Sequence, residues 1–314
     1  MKFEYISSFA PQIRAMVELR SALGYVPETY QYTLLNFDRF CERTNPSETV
    51  LTRELISDWC GCNSSGEDSA MKLKAIRLLG RYLTSIGIEA FVVPANWIPP
   101  SKRDLPYIFS DDELTAFFNA ADEVAPCKVS PVREYTLPVI YRLMYACGLR
   151  PQEARKLKCC EVNLKQGNLY ISETKHNKDR QIPMGEDILH LCQKYDAIVE
   201  LCNPKRNYFF ESPSGGVYTS TWLTYCFHQI RRAAGNIAQG SVPYDFRHNF
   251  ATRTLMRWAE EGADVSAKLP YLSAYMGHAE YSATAYYVHL LPNRLAACDF
   301  VRTNGIIPEV AYEN

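Results

Sequence analysis

The chain has 314 residues and a formal net charge of −1, and 47% of its residues are hydrophobic while 22% are charged. That composition is typical of soluble globular proteins, and the length provides enough apolar side chains for two domains. No apolar run approaches the roughly 20 residues that a membrane span needs, and charges interrupt the apolar stretches of residues 1–25. We therefore expect neither a membrane span nor a secretion signal. Without an overall basic charge, any binding of nucleic acid would need local clusters of Lys and Arg.

The eleven cysteines are scattered along the chain and predict reduced thiols. The two closest groups, CGC at 60–62 and the pair Cys159–Cys160, lack the repeated CxxC spacing of a zinc site. His278 and His289 likewise lack the close spacing and the third ligand that a metal site needs. The sequence thus predicts a cytoplasmic protein that uses no metal and no other cofactor.

Residues 1–98 are predicted to form a small helical-bundle domain. Apolar residues recur at three- and four-residue spacing in four segments, which are 9–24, 28–43, 51–61 and 69–87. The stretch PANWIPPSKRDLPYIF at 94–109 then brings four prolines close together. Because proline favours extended backbone, we predict a linker at 99–106.

Residues 107–314 are predicted to form a second domain that is mainly α-helical with a small antiparallel β-sheet. Ser110 and Glu113 have the spacing of a capping box and mark a helix start. The segment 167–184 predicts two short strands joined by a polar turn at 176–179. The predicted fold class is therefore mainly α, with the sheet confined to the second domain.

The stretch YRLMYACGLRPQEARKLK at 141–158 predicts a sharp corner between two helices. Gly148 suits a left-handed helix end, and Pro151 suits the first turn of the next helix. Arg150 then lies beside a helix N-terminus, where free N–H groups and the helix dipole favour an anion. The alternative is an ion pair between Arg150 and Glu153 at a surface corner.

Three further segments carry candidate residues. Lys175 lies in the predicted hairpin turn, where a basic side chain could be merely solvated or could protonate a leaving oxygen. DFRHNFATRTL at 245–255 predicts a helix with Arg247 in its first turn, and His248, about 100° around the helix, is expected to be structural. MGHAEYSATAYYVHL at 276–290 places His278 after a glycine turn and before a group of tyrosines. Cations that converge without a metal are suited to stabilising a phosphodiester while a side chain attacks phosphorus.

Taken in order, CGLRPQEARKL, ETKHNKDRQIPM, YDFRHNFATRTL and MGHAEYSATAYYVHL resemble the four catalytic boxes of the tyrosine recombinases, the phage integrase family. The family's second arginine box is commonly H-x-x-R-H, and its last box has a tyrosine nucleophile nine residues after the His of a Gly-His pair. Counting from His278 selects Tyr287 rather than Tyr286. The N-terminal helices resemble the family's core-binding domain, so the likeness covers nearly the whole chain.

The resemblance implies a role for each matching residue. Arg150 and Arg247 would hold the non-bridging oxygens of the scissile phosphate, and Tyr287 would attack to form a 3′-phosphotyrosyl link. Lys175 would protonate the departing 5′ oxygen, and His278 would bind or orient the phosphate. Glu153 and His289 are expected to support the site. The candidate DNA contacts are Lys178, Arg180, Lys102 and Arg103.

One position departs from the family's pattern. The residue three before Arg247 is usually His, sometimes Lys, and here it is Tyr244. A neutral phenol with a pKa of about 10 is a poor general base at neutral pH, although it can donate or accept a hydrogen bond. Either another group or water then accepts the proton of Tyr287, or the chemistry is slower.

The resemblance also implies a partner and an assembly. The partner is double-stranded DNA with core sites flanked by inverted repeats, which a clamp formed by the two domains would hold. Four protomers would assemble on two sites through the C-terminal tail, and would integrate, excise or invert DNA. Two alternatives remain open, a DNA-binding protein with impaired catalysis and strand nicking of the type IB topoisomerase kind. For residues 292–314, packing on their own domain is the alternative to docking on a neighbour.

Overall fold

The computed structural model describes residues 3–25, 27–61, 66–99, 105–172, 179–278 and 280–288. The chain divides into two compact units, Met1–Asp104 and Leu105–Asn314. Helices dominate both units, and a small antiparallel sheet lies in the second, so the predicted fold class is confirmed. No helix in the described part of the chain is long and apolar enough to cross a membrane.

The first unit contains the four predicted helices, α1 (Ala10–Ala22), α2 (Glu28–Thr44), α3 (Arg53–Gly61) and α4 (Gly66–Ser85). Their apolar faces meet around Phe37, whose ring lies 5.6 Å from that of Phe9 and 5.2 Å from that of Trp59. Asp38, next to Phe37, is fully buried and accepts hydrogen bonds from the backbone N–H and the hydroxyl of Ser7. These bonds hold the segment before α1 against α2.

The helices of the second unit surround an aromatic core. They are α5 (Asp111–Asp122), α6 (Arg133–Ala146), α7 (Pro151–Lys156), α8 (Glu186–Cys202), α9 (Ser220–Ala233), α10 (Asp245–Glu260), α11 (Val265–Met276) and α12 (Ser282–Val288). Phe246 of α10 packs 5.2 Å from Phe117 of α5 and 5.6 Å from Phe227 of α9. Because α10 contributes both this core residue and the next residue, Arg247, the aromatic packing fixes the start of α10.

A polar contact joins the start of α5 to α10. The side chain of Asn249 accepts from the backbone N–H of Phe109 and donates to the carbonyl of Tyr107. Directly after this segment, Ser110 and Glu113 form the predicted capping box. The chain entering the second unit is therefore fixed to the helix that carries Arg247.

The sheet has three antiparallel strands, in the order β1 (Val162–Asn163), β2 (Asn168–Ile171) and β3 (Arg180–Pro183). The two strands predicted from the sequence are β2 and β3, and β1 is an addition. The strand β1 has only two residues, which is too short to show an alternation of polar and apolar residues, so the sequence does not predict it. Ile171 pairs with Arg180, so Arg180 lies at the first position of β3.

The corner between α6 and α7 has the predicted geometry. Gly148 adopts φ +61°, and Arg150 directly precedes α7, which begins at Pro151. An ideal Cβ on Gly148 would lie 2.6 Å from the ring of Phe250 in α10. The corner can therefore lie against α10 only because residue 148 has no side chain.

We predict that Gly148→Ala destabilises the second unit by about 3 kcal/mol, since it combines a left-handed backbone with overpacking against Phe250. Gly235→Ala is the matched control, because Gly235 also has positive φ but nothing within 4 Å of its Cβ position. The control should lose only about 1–2 kcal/mol. Urea unfolding followed by circular dichroism measures both, and equal losses would contradict the packing argument.

Candidate active site

Five separate segments bring their polar side chains together in the second unit. The α6–α7 corner contributes Arg150 and β3 contributes Arg180, while α10 contributes Arg247. The turn after α11 contributes His278, and α12 contributes Tyr287. In sequence these residues span more than a hundred positions, and the packing of α10 against α6, α11 and α12 unites them.

Glu153 is the anion at the centre of this group. One of its carboxylate oxygens lies 2.6 Å from Nη1 of Arg150, and the carboxylate accepts two hydrogen bonds from Arg180 at 2.8 and 3.0 Å. Its second oxygen lies 4.0 Å from Nη1 of Arg247. Burial alone would raise the pKa of Glu153, but the hydrogen bonds and charge of Arg180 outweigh it and hold that pKa below the ordinary value. Glu153 is therefore ionised at neutral pH.

Arg247 is completely buried. It donates to the carbonyl oxygens of Gly148 at 2.6 Å and Met276 at 2.5 Å, so it links the corner to the end of α11. Its Nε–H has no acceptor among the described residues. Burial and then the charge of Arg150 lower the pKa of Arg247 to about 10, which still leaves it charged at neutral pH.

Arg150 is the more accessible of the two predicted phosphate-binding arginines, because 28% of its side chain is exposed. It donates to Glu153 and to the carbonyl of Gly277, 2.8 Å away. The two sequence interpretations of Arg150 are therefore compatible, since the ion pair with Glu153 holds the guanidinium at the site.

His278 follows the left-handed turn at Gly277, which has φ +63°. Its Nδ1 lies 2.6 Å from the hydroxyl of Thr284, and its ring stacks on that of Tyr287 with centroids 6.2 Å apart. Burial and the charges of neighbouring arginines lower the pKa of His278 to about 3. The imidazole is therefore neutral at neutral pH and can act as a hydrogen-bond donor or acceptor without adding charge.

Tyr287 is 3% exposed, and its hydroxyl lies 2.9 Å from Nδ1 of His248. Burial raises the pKa of Tyr287 well above its usual value, so the phenol is protonated at neutral pH. His248, which the sequence predicts to be structural, is in direct contact with Tyr287. A rotation of about 100° from Arg247 turns His248 toward α12, which carries Tyr287.

Tyr244 lies at the N-cap of α10 and is 37% exposed. Its ring centroid is 4.9 Å from that of His248. Residues four apart lie on the same face of a helix. Tyr244 is thus brought to the site, where its ring packs against the imidazole next to the tyrosine hydroxyl.

The prediction that Arg180 contacts DNA is wrong. Its side chain is 7% exposed, and its guanidinium is occupied by Glu153 and by the carbonyl oxygen of Tyr275 at 2.8 Å. Its role is to neutralise and orient Glu153, which in turn holds Arg150. The predicted residues Lys102, Arg103, Lys175, Lys178 and His289 lie outside the described residues.

Sequence reasoning missed the contacts of His248 and Thr284. Both residues lie within a few positions of identified site residues, but closeness in sequence does not show which face of a helix meets which neighbour. Thr284 lies six residues after His278, and only the turn between α11 and α12 brings its hydroxyl to the imidazole. The helical spacing of Tyr244 and His248 could have linked those two residues, and no sequence signal could have identified Tyr287 as the neighbour of His248.

Comparison with known proteins agrees with this geometry. The model of the phage integrase family matches residues 108–294. The putative integrase/recombinase y4rE of Sinorhizobium fredii is 30% identical over 285 residues, which cover 88% of this chain and 90% of that protein. The tyrosine recombinase XerD of Pseudomonas putida is 34% identical over 276 residues, which cover 85% of this chain and 87% of that protein.

The chain belongs to the phage integrase family, the tyrosine recombinases. It is therefore a tyrosine-type site-specific recombinase. Its fold is similar to that of XerH recombinase bound to a palindromic difH substrate, with a TM-score of 0.64 and 21% identity over 94% of this chain and 85% of that one. It is also similar to that of a lambda integrase dimer bound to a core site, with a TM-score of 0.62 and 14% identity over 88% of this chain and 94% of that one.

We predict that Glu153→Gln destabilises this recombinase by about 3–5 kcal/mol at neutral pH, because it leaves buried guanidinium charges uncompensated. The pKa of Glu153 is depressed, so its ionised form stabilises the fold above pH 4.5, and this contribution is lost as the pH falls through the folded-state pKa. The difference between variant and wild type in unfolding free energy should therefore shrink in acid.

Glu200→Gln is the matched control. Glu200 pairs with Arg206 but is 56% exposed, and Arg206 keeps Asp196 as a second partner. Exposed pairs contribute about 0–1 kcal/mol. Urea unfolding at neutral pH and below pH 4.5 measures both variants. A Glu153 variant no less stable than the control would show that the carboxylate does not hold the cluster together.

Proposed function

We propose that this recombinase cleaves duplex DNA at a specific site with Tyr287 as the nucleophile, and rejoins the strands from a 3′-phosphotyrosyl intermediate. The observation that carries the proposal is the environment of one hydroxyl. Tyr287 lies inside a cluster of cations of the same chain, hydrogen-bonded to His248 and stacked on His278. The hydrogen bond orients the phenol oxygen, and burial excludes water from it. Both conditions favour nucleophilic catalysis.

Charge supports a phosphodiester as the reacting group. A pentacovalent phosphorane carries more concentrated negative charge than its substrate, and preorganised donors stabilise it. Arg150 is accessible to such a group, and Arg247 retains an N–H without an acceptor among the described residues. We assign binding of the two non-bridging oxygens to these arginines. We assign to His278 a hydrogen bond to the phosphate.

Lys175 is assigned to protonate the departing 5′ oxygen. The support for this role is its place in the second of the four sequence boxes that resemble the family. The bond from phosphorus to Tyr287 replaces the bond to the 5′ oxygen, so the linkage energy is retained. Attack by a free 5′ hydroxyl then reverses the step, and rejoining needs no ATP.

The DNA partner is supported by both units. The related structures named above hold a difH substrate and a core site. In the first unit, Lys74 and Arg81 are exposed on α4 and lie seven residues apart, which places both cations on one face of that helix. Cations in such a row bind the phosphate backbone and make affinity depend on salt. We therefore propose that Met1–Asp104 is a core-binding domain and that α4 contacts DNA.

The recognition sequence is first identified by selecting bound duplexes from a random pool. The proposed reaction predicts that the wild-type protein forms a covalent adduct with a nicked duplex that carries this sequence. Tyr287→Phe removes the attacking oxygen and should abolish the adduct while leaving DNA binding unchanged. Tyr286→Phe is the matched control, since it deletes the neighbouring hydroxyl and should leave the adduct yield as in wild type. A denaturing gel separates the adduct from free DNA.

The 3′ link leaves a free 5′ hydroxyl on the released strand. Polynucleotide kinase should therefore label that strand without prior phosphatase treatment. An adduct that survives in Tyr287→Phe would refute the nucleophile. Relaxation of supercoiled DNA without any site preference would favour topoisomerase-like nicking, and tight site binding without an adduct would favour a DNA-binding protein that lacks catalysis.

We also propose that four protomers assemble on two sites through residues 292–314, which lie outside the described residues. The resemblance to the family supports this assembly. Removing 292–314 should leave binding of one protomer to a half-site intact and should reduce the largest complex seen by sedimentation on two full sites. Unchanged complexes would instead favour a tail that packs on its own domain.

A further inference from the structure

Two residues at the start of α10 remain without a function in this scheme. Tyr244 and His248 lie on one face of the helix, while Arg247 faces Gly148 and Met276 on another. The imidazole of His248 lies between two phenol rings. The ring of Tyr244 is 4.9 Å away and that of Tyr287 is 5.5 Å away, measured between centroids. Only the phenol of Tyr287 is within hydrogen-bonding distance of Nδ1, at 2.9 Å, among the contacts described for His248.

A neutral imidazole and a protonated phenol can each donate in this hydrogen bond, and the tautomer of His248 decides which of them does. Burial and then the charge of Arg247 lower the pKa of His248 to about 4, so its imidazole is neutral at neutral pH. Burial keeps the Tyr287 phenol protonated. A neutral imidazole with its proton on Nε2 offers Nδ1 as an acceptor. In that tautomer the phenol donates, and its proton points at a vacant base.

We propose that His248 is the catalytic base that accepts the Tyr287 proton during DNA cleavage, and that Tyr244 is a positioning residue that holds its ring. This inference rests on the proposed function. It assigns to the residue after Arg247 a task for which the phenol at residue 244 is poorly suited, since a neutral hydroxyl has no basic nitrogen to take up a proton.

The step balances without a further reactant. The Tyr287 oxygen forms a bond to phosphorus while its proton moves to Nδ1 of His248, which becomes imidazolium. The bond from phosphorus to the 5′ oxygen breaks, and that oxygen takes a proton from the general acid, which we assign to Lys175. In the reverse step the imidazolium returns its proton to the tyrosine oxygen as the phosphotyrosyl bond breaks.

The charges around His248 favour this transfer only when DNA is bound. The groups that face it are Arg247 on its own helix, Tyr244 at the helix start, Tyr287 on α12 and His278 in the turn before α12. Arg247 disfavours imidazolium in the free protein. A phosphate held by Arg150 and Arg247 would bring negative charge that offsets this effect, so basicity at His248 would rise when substrate is in place.

The test is the single-turnover rate of adduct formation on the nicked duplex. His248→Asn keeps an acceptor oxygen close to the position of Nδ1 but cannot take up a proton at neutral pH. We expect its rate to fall by about 10²–10⁴, the usual contribution of a general base. His248→Ala should lose as much or more, and DNA binding and thermal unfolding should show that both variants fold. Tyr286→Phe remains the control with wild-type rate.

The pH profile separates a base from a structural residue. In the wild type the rate should be lost as the pH falls through the pKa of His248 in the complex, and should level off above it. In His248→Asn the rate should keep rising, about tenfold per pH unit, because solvent must then ionise the phenol. A profile that keeps the wild-type shape in His248→Asn would overturn the assignment, as would a rate within threefold of wild type.

Tyr244 is tested separately. Tyr244→Ala should lower the rate about tenfold and leave the shape of the pH profile unchanged, because the base is still present but its ring is poorly held. Tyr244→Phe keeps the aromatic ring and should therefore retain the wild-type rate. In the His248→Ala background, Tyr244→His should raise the rate at least tenfold by supplying an imidazole from the same helix face.

If wild type itself forms no adduct, the proposed function fails, whereas an adduct that forms independently of His248 overturns only the inference.

Discussion

Glu153 accepts hydrogen bonds from Arg150 and Arg180, and Arg247 lies 4.0 Å from the same carboxylate. Three guanidinium groups in so small a volume would repel one another and would resist burial without a counter-charge. Backbone carbonyl oxygens of residues 148, 275, 276 and 277 accept further hydrogen bonds from these guanidinium groups. A single carboxylate and four carbonyls thus hold a dense positive charge in a largely buried site.

The same charge and burial determine the protonation of the other groups. Burial and the arginines lower the pKa values of His248 and His278 to about 4 and about 3, so both imidazoles are neutral. Burial keeps the Tyr287 phenol protonated. The resting site therefore holds a protonated phenol beside a neutral imidazole, with positive charge on the arginines. In the proposed reaction, binding of an anionic phosphodiester would change this balance in the direction that cleavage requires.

Much of the fold could be predicted because it depends on local patterns. The helices of the first unit follow from apolar spacing, the start of α5 from the Ser110–Glu113 capping box, and the α6–α7 corner from Gly148 and Pro151. The strand β1 could not be predicted, since two residues show no period and pair only because β2 is adjacent. Arg180 was assigned to the DNA surface from its place near a basic turn, although its pairing with Glu153 buries it.

The sequence by itself determined which residue types the predicted site contains, because the resemblance of its four boxes to those of the family points to Arg150, Arg247, His278 and Tyr287 without any knowledge of contacts. The tertiary structure decided how those residues are used. Helical geometry predicts that His248 points about 100° away from Arg247 around the helix. Only the packing of α12 against α10 places the Tyr287 hydroxyl next to His248. Hydrogen bonding and desolvation act over a few ångströms in space, whereas a sequence records order along the chain. The partner of a side chain is therefore known only after the helices have packed.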